Sequence, residues 1–142
     1  MNLFSSKKEP KINSPENMSP LEAVTHLFAA IQIADQVASY EEKESWMNAI
    51  DKLFPDHNFE RSEDFFTAAH LTLANQNQVE RKHYITLLLN RIKFLFNPHQ
   101  IKEFGPMIAD IVESDGIVMT SEMEIVHLSE EILGLKINVK DD

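Results

Sequence analysis

Four acidic residues have the chemical type and the spacing that a site for a hard cation requires. Asp35 and Asp115 each continue an apolar stripe at helical spacing, at positions 28, 31 and 35 and at positions 108, 111 and 115. This spacing predicts a carboxylate on the inward face at the end of a helix. Glu42 and Glu122 follow them in the sequence, and carboxylate oxygens are ligands that Ca²⁺ and Mg²⁺ prefer. The four residues are therefore a candidate site for a divalent cation.

The same carboxylates have a second explanation that needs no bound ion. The free N–H groups and the positive dipole end of the following helix also stabilise a carboxylate at that position. Two aspartates and two glutamates supply only part of the oxygen shell of Ca²⁺, and the turns are too short for an EF-hand loop. The sequence favours helix capping over metal binding and leaves both open.

Two Glu-x-x-His pairs, Glu80 with His83 and Glu124 with His127, have the spacing found in di-iron helical bundles. On a helical wheel, His83 lies nearly opposite the apolar face of its helix, and His127 lies well off its own apolar face. We therefore expect both histidines to be solvated, which argues against a di-iron centre. The chain has no cysteine and no H-E-x-x-H, G-x-S-x-G, Walker or dinucleotide-binding glycine motif. No catalytic motif is recognised.

The charge balance narrows the classes of partner. Thirteen Lys and Arg against 23 Asp and Glu give a formal net charge of -10. Such a chain is repelled by nucleic-acid phosphates and by anionic membrane surfaces, whereas a basic protein or a divalent cation suits it. The sequence contains no apolar run long enough to span a membrane and no secretory signal. We predict a cytoplasmic protein with a protein partner, without nucleic-acid binding or membrane insertion.

The apolar periodicity predicts an all-α fold. The 142 residues suit one domain, and three glycines with no sustained alternation leave little room for a sheet. We predict a flexible N-terminal leader at residues 1–18, a helical domain at residues 19–135 and a C-terminal tail at residues 136–142. The helical domain is expected to be a compact bundle of about six to seven helices.

Caps and breakers predict where these helices begin and end. Gly134 is expected to end the last helix in a left-handed conformation. The Gly105–Pro106 pair is expected to break the fifth helix or to change its direction. The predicted starts are Ser19 with Pro20, Ser39 with Glu42, Ser62, the connection at 75–78, Asn97 with Pro98, and Ser121 with Glu124.

The sequence also contains an internal repeat. A shift of 80 positions aligns residues 34–37 with residues 114–117, and Glu42 with Glu122. Each copy consists of a helix, a turn that contains an aspartate, and a second helix whose first turn is acidic. The bundle is therefore predicted to be built from a duplicated helix–acidic turn–helix unit.

The second copy resembles a known family. SDGIVMTSEMEIVHLSEEILGL, at residues 114–135, is similar to the Asp-Gly, Glu and amphipathic-helix signature of TerB-like domains of tellurite resistance. IADQVASYEEKESW, at residues 33–46, is a weaker copy in which Gln36 replaces the glycine. The resemblance implies a helical bundle with a stress-associated role. It also implies divalent-metal binding at Asp35, Glu42, Asp115 and Glu122.

Three functions follow as hypotheses. The first is a non-enzymatic helical interaction module, with or without a divalent cation at the two acidic turns. The second is a metal-dependent enzyme that uses the same four acidic residues. The third is an acidic adaptor that docks a basic protein, for which binding would weaken steeply with salt.

Overall fold

The computed structural model describes residues 13–35, 40–114 and 118–140, without the side chains of residue 35 and residues 40–44. These ranges contain helices, turns and irregular segments but no strand, so the predicted all-α bundle is confirmed. Within them, no helix combines the length and the apolar character needed to cross a bilayer. The six helices are α1 (Pro20–Asp35), α2 (Tyr40–Leu53), α3 (Phe59–Ala74), α4 (Gln78–Leu95), α5 (Pro98–Glu113) and α6 (Thr120–Leu133).

Helix α1 is the centre of the bundle and contacts all five other helices. No charged residue occurs between positions 23 and 34, and every residue from 23 to 32 is buried. A helix that is uncharged and largely apolar all round is stable only when other elements cover every side of it. Ala68 and Ala69 of α3 are also buried, and such small side chains let two helix backbones approach closely. The core therefore surrounds α1 rather than one stripe along it.

Three predicted helix starts are confirmed by side-chain caps. The Ser19 hydroxyl accepts a hydrogen bond from the Glu22 N–H at 3.2 Å, at the start of α1. Asn77 forms a capping box with Glu80 at the start of α4, inside the predicted connection. Asn97 caps α5, where Gln100 supplies the reciprocal bond. The predicted start at Ser39 and Glu42 lies outside the described side chains.

The predicted start of α3 and the predicted capping pair of α6 are wrong, because a different side chain makes the hydrogen bond in each case. Helix α3 begins at Phe59, since the Asn58 side chain accepts a hydrogen bond from the Arg61 N–H at 3.0 Å. Ser62 therefore lies within the first turn. Helix α6 begins at Thr120, and the Glu122 carboxylate, not that of Glu124, accepts a hydrogen bond from the Met119 N–H at 2.9 Å.

The predicted break at Gly105–Pro106 is also wrong, because α5 continues through both residues. Pro106 is exposed, as is Lys102, whose carbonyl loses its helical N–H donor at Pro106 and can be hydrated instead. Gly105 is buried and lies under the C-terminal segment. A Cβ built there would be 3.4 Å from the Lys136 carbonyl oxygen, at ordinary van der Waals contact, so an alanine fits beneath this segment.

Both ends of the bundle are longer than predicted. Met18, assigned above to the flexible leader, is fully buried, and its carbonyl accepts a hydrogen bond from Arg91 Nε at 2.9 Å. At the other end Ile137 is buried, and its N–H donates to Glu130 Oε2 at 2.8 Å. This backbone hydrogen bond, more than any other influence, lowers the pKa of Glu130. Residues 13–18 and 135–140 therefore pack on the helical domain.

The helix bounds agree with the predicted duplication. Helices α1 and α5 both have 16 residues, and α2 and α6 both have 14. Moved by 80 positions, the bounds of α2 coincide with those of α6, and those of α1 fall two residues after those of α5. The connections at residues 36–39 and 115–117 lie outside the described residues.

Replacing Gly134 by alanine is expected to lower the free energy of unfolding by about 1 kcal/mol. Gly134 has a φ of 71° at the end of α6, as predicted, and a Cβ is unfavourable in this left-handed conformation. Urea unfolding measures the change. Gly105→Ala is the control, because alanine is favoured inside a helix by about 1 kcal/mol. An equal loss in both variants would contradict the conformational explanation.

Candidate functional site

A groove of about 480 Å³ runs between the C-terminal half of α1, the start of α4 and the face of α6. Ala30 and Ala34, four residues apart on α1, line the groove and leave space in it because their side chains are small. Their small side chains would let an incoming helix backbone approach closely. The other apolar lining side chains are Ile33, Leu73, Ile85, Ile125 and Leu128. We call this surface the α1–α4–α6 groove.

The two rims of the α1–α4–α6 groove carry opposite charges. Arg81 and Lys82 lie on the α4 rim, while Glu124 and Glu131 lie on the α6 rim with His127 between them. None of the first four side chains forms a salt bridge with another described residue. Arg81 Nε donates to the Leu73 carbonyl at 2.9 Å, which orients the guanidinium group at the rim. The charges of both rims are therefore available to a ligand.

The C-terminal end of α1 meets the first turn of α6 beside this groove. The hydroxyl of Ser121, in the first turn of α6, donates to the Ala34 carbonyl of α1 at 2.7 Å. Residues 36–39 and 115–117, which belong to the two turns predicted to bind a cation, lie outside the described residues. Glu122 is fully buried, and its carboxylate accepts a hydrogen bond from the Met119 N–H. The side chains of Asp35 and Glu42, and all of Asp115, lie outside the described residues.

The two Glu-x-x-His pairs are placed as predicted. His83 is exposed, and the His127 side chain is 69% exposed. His127 contacts Glu130 at 3.3 Å on its own helix. Among the described residues, no group of three or more His, Cys, Asp or Glu side chains is arranged to hold a metal ion.

A Ser–His–Asp contact lies in the connection between α2 and α3, and no sequence motif indicated it. His57 Nδ1 is 2.7 Å from Ser62 Oγ, and His57 Nε2 is 2.5 Å from Asp51 Oδ1. A hydrolase triad needs a serine that substrate can reach, but Ser62 is fully buried and its hydroxyl also bonds to the Asn58 carbonyl. The His57 ring also has the opposite orientation to that in a hydrolase triad, because its Nε2, and not its Nδ1, contacts the aspartate. The arrangement stabilises the connection and offers no nucleophile.

A second polar group missed by sequence reasoning is buried between α1 and α4. His26 is fully buried, and its Nδ1 is 2.7 Å from Tyr84 Oη. Burial lowers the pKa of His26 to about 4. Burial, followed by the charge of Glu22, raises the pKa of Tyr84. Glu22 is also buried and accepts a hydrogen bond from Asn13 Nδ2 at 3.0 Å. The uncharged run of α1 was the one sequence signal for this burial.

No protein-family model, curated protein or solved structure matches this chain. The TerB-like resemblance therefore stays a prediction. The functional argument rests on the geometry of the α1–α4–α6 groove.

Proposed function

We propose that this chain is a non-enzymatic helical interaction module that binds an amphipathic helix of a protein partner in the α1–α4–α6 groove. The observation that carries the proposal is an apolar floor between a basic rim and an acidic rim. Glu124, His127 and Glu131 occur at intervals of three and four residues, so the acidic rim is about 10 Å long. That length matches about two turns of a docked helix, which anchors through residues at the same spacing.

The rim charges determine which helix fits. An acidic edge of the partner helix would lie along Arg81 and Lys82, and a basic edge along Glu124 and Glu131. Charges at the rim of an interface contribute mainly to specificity and to the association rate, whereas buried apolar contacts provide most of the affinity. The partner is therefore a helix with one apolar face and two edges of opposite charge.

A designed peptide tests the groove directly. The probe is a fluorescein-labelled helix of about 16 residues with leucines at i, i+3, i+4 and i+7, glutamates along one edge and lysines along the other. Fluorescence anisotropy gives its Kd. The pair Arg81→Glu and Lys82→Glu is expected to weaken binding at least about tenfold, because like charges then face each other. A peptide with lysines along both edges is expected to recover that loss, because both rims of the variant are acidic.

Two further variants separate the groove from general electrostatics. Lys93→Glu with Lys102→Glu changes the net charge equally on exposed sites outside the groove, and its Kd should match that of the unaltered protein. Ala34→Trp fills the floor and should abolish binding of both peptides. Equal Kd values for the rim-charge variant and the lysine control would refute the groove as the binding site.

We also propose that the chain is a TerB-like domain with a stress-associated role. The equal lengths of the two helix pairs support the duplicated unit on which that resemblance rests. A divalent cation at Asp35, Glu42, Asp115 and Glu122 is the associated site prediction. The contact between Ser121 and Ala34 supports it because it holds the end of α1 against the start of α6, while the capping bond of Glu122 argues against it.

Titration calorimetry distinguishes metal binding at the acidic turns from helix capping alone. Metal-free protein is titrated with Ca²⁺, Mg²⁺, Mn²⁺ and Zn²⁺, and the titrations are repeated on Asp35→Asn and Asp115→Asn. Saturable heat that either substitution abolishes would establish a metal site. Absence of binding, together with lower stability of both variants, would identify the turns as helix caps alone.

A further inference from the structure

A second, smaller cleft lies on another side of α1, against α2 and α3. Its volume is about 220 Å³, and its lining among the described residues consists of Gln32, Trp46, Glu63, Phe66 and Thr67. The Trp46 ring is stacked on Phe66, with ring centroids 4.2 Å apart and an angle of 6° between the planes. This stacking holds the indole in one orientation. None of these residues lines the α1–α4–α6 groove.

Two polar atoms at this cleft are buried without a hydrogen-bond partner. They are Gln32 Oε1, on a side chain that is 5% exposed, and Trp46 Nε1, on a side chain that is 1% exposed. One is an acceptor and the other a donor. Nearly all buried polar groups in folded proteins are hydrogen-bonded, and a buried indole N–H usually finds an acceptor. A complementary donor and acceptor beside one cleft therefore match a ligand group that both donates and accepts.

We propose that this cleft binds a small neutral molecule through a primary carboxamide. The N–H of the carboxamide donates to Gln32 Oε1, and its carbonyl accepts from Trp46 Nε1. Neither polar atom is accessible to water in this conformation, so binding requires rotation of the Gln32 amide, a torsion with a broad energy profile, and that movement must also uncover the indole N–H.

The cleft volume limits the size of the ligand. An apolar protein cavity of about 150 Å³ accommodates benzene. A cleft of about 220 Å³ therefore suits a ring that carries one carboxamide, or about nine non-hydrogen atoms. Benzamide has this size, and acetophenone and α-methylstyrene have the same number of non-hydrogen atoms. Acetophenone keeps the carbonyl but lacks the N–H donor, and α-methylstyrene lacks both groups.

Trp46 makes the test direct, because it is the single tryptophan of the chain. Its indole N–H gives one signal in a ¹H–¹⁵N correlation spectrum, which is followed during titration of the whole chain with each probe. Benzamide is expected to move that signal downfield and saturably. Acetophenone is expected to bind at least about tenfold more weakly, by the loss of one buried hydrogen bond. The α-methylstyrene probe should cause no downfield shift.

Variants at Gln32 complete the test. Gln32→Leu and Gln32→Met should reduce benzamide affinity to that of acetophenone, and thermal unfolding checks that at least one of them is folded. Asn48→Leu removes an exposed amide from α2 and should bind benzamide as the unaltered chain does. An indole signal that benzamide does not move, or that all three probes move alike, would overturn the proposal. These results do not depend on whether the α1–α4–α6 groove binds a helix.

Discussion

Lowering the pH from 7 to 4 is expected to remove about 3 kcal/mol of stability through His26 alone. His26 is fully buried beside Tyr84, and burial lowers its pKa from the ordinary value of 6.5 to about 4. Between these two values the unfolded chain binds a proton that the folded chain excludes, so stability falls as the pH falls. The difference of about 2.5 pKa units corresponds to about 3 kcal/mol. The contribution is complete above pH 6.5.

Urea unfolding at pH 7, 5.5 and 4 measures this dependence. The double variant His26→Leu with Tyr84→Phe removes both partners of the 2.7 Å hydrogen bond, so neither polar group is left buried alone. Ordinary carboxylates also titrate in this pH range, and the difference between the unaltered chain and the double variant isolates His26. His83→Gln alters an exposed histidine of α4 and should keep the full dependence. Parallel pH profiles for the double variant and the unaltered chain would contradict the prediction.

Replacing Phe104 by alanine is expected to lower the free energy of unfolding by about 3–5 kcal/mol, because it leaves a cavity in the core. Phe104 is fully buried in α5, and its ring meets the edge of Phe96 at a centroid distance of 5.3 Å. The C-terminal segment covers the neighbouring Gly105 at close range, so the backbone there has little room to collapse. Urea unfolding with an unchanged m-value would show a loss of packing rather than a different denatured state.

Phe94→Ala is the matched control for this substitution. Phe94 is 79% exposed on α4, and the Arg91 guanidinium lies 5.6 Å from its ring centroid. An exposed cation–π contact contributes about 1 kcal/mol at most, so the loss should remain below that value. Similar losses for the two phenylalanines would mean that Phe104 is not part of a well-packed core.

The helix class and most helix ends could be predicted from local sequence. Ser19, Asn97 and Gly134 act within one turn of their own positions, where a side-chain oxygen or the absence of a Cβ determines the backbone conformation. The uncharged run between positions 23 and 34 is also typical of a helix covered on every side, a property that the apolar stripe at positions 28, 31 and 35 does not show.

Tertiary packing decided the course of α5 and the surface on which the proposed function depends. Pro106 remains inside α5 because the Lys102 carbonyl, which loses its helical N–H donor there, belongs to an exposed residue and can be hydrated. No local sequence pattern shows this exposure. Ser121 was expected to cap its own helix, but it bonds to Ala34, which is 87 positions away. The α1–α4–α6 groove likewise combines residues from three separate parts of the chain.

The sequence by itself determined the helices, most of their caps and the net charge, because each depends on neighbours within about one helical turn or on composition alone. Tertiary structure alone decided the burial of His26, the opposite charges across the groove and the donor–acceptor pair at Gln32 and Trp46. Each of these depends on the distance between atoms of different helices. That distance is set by how the whole core packs, and spacing along the chain does not encode it.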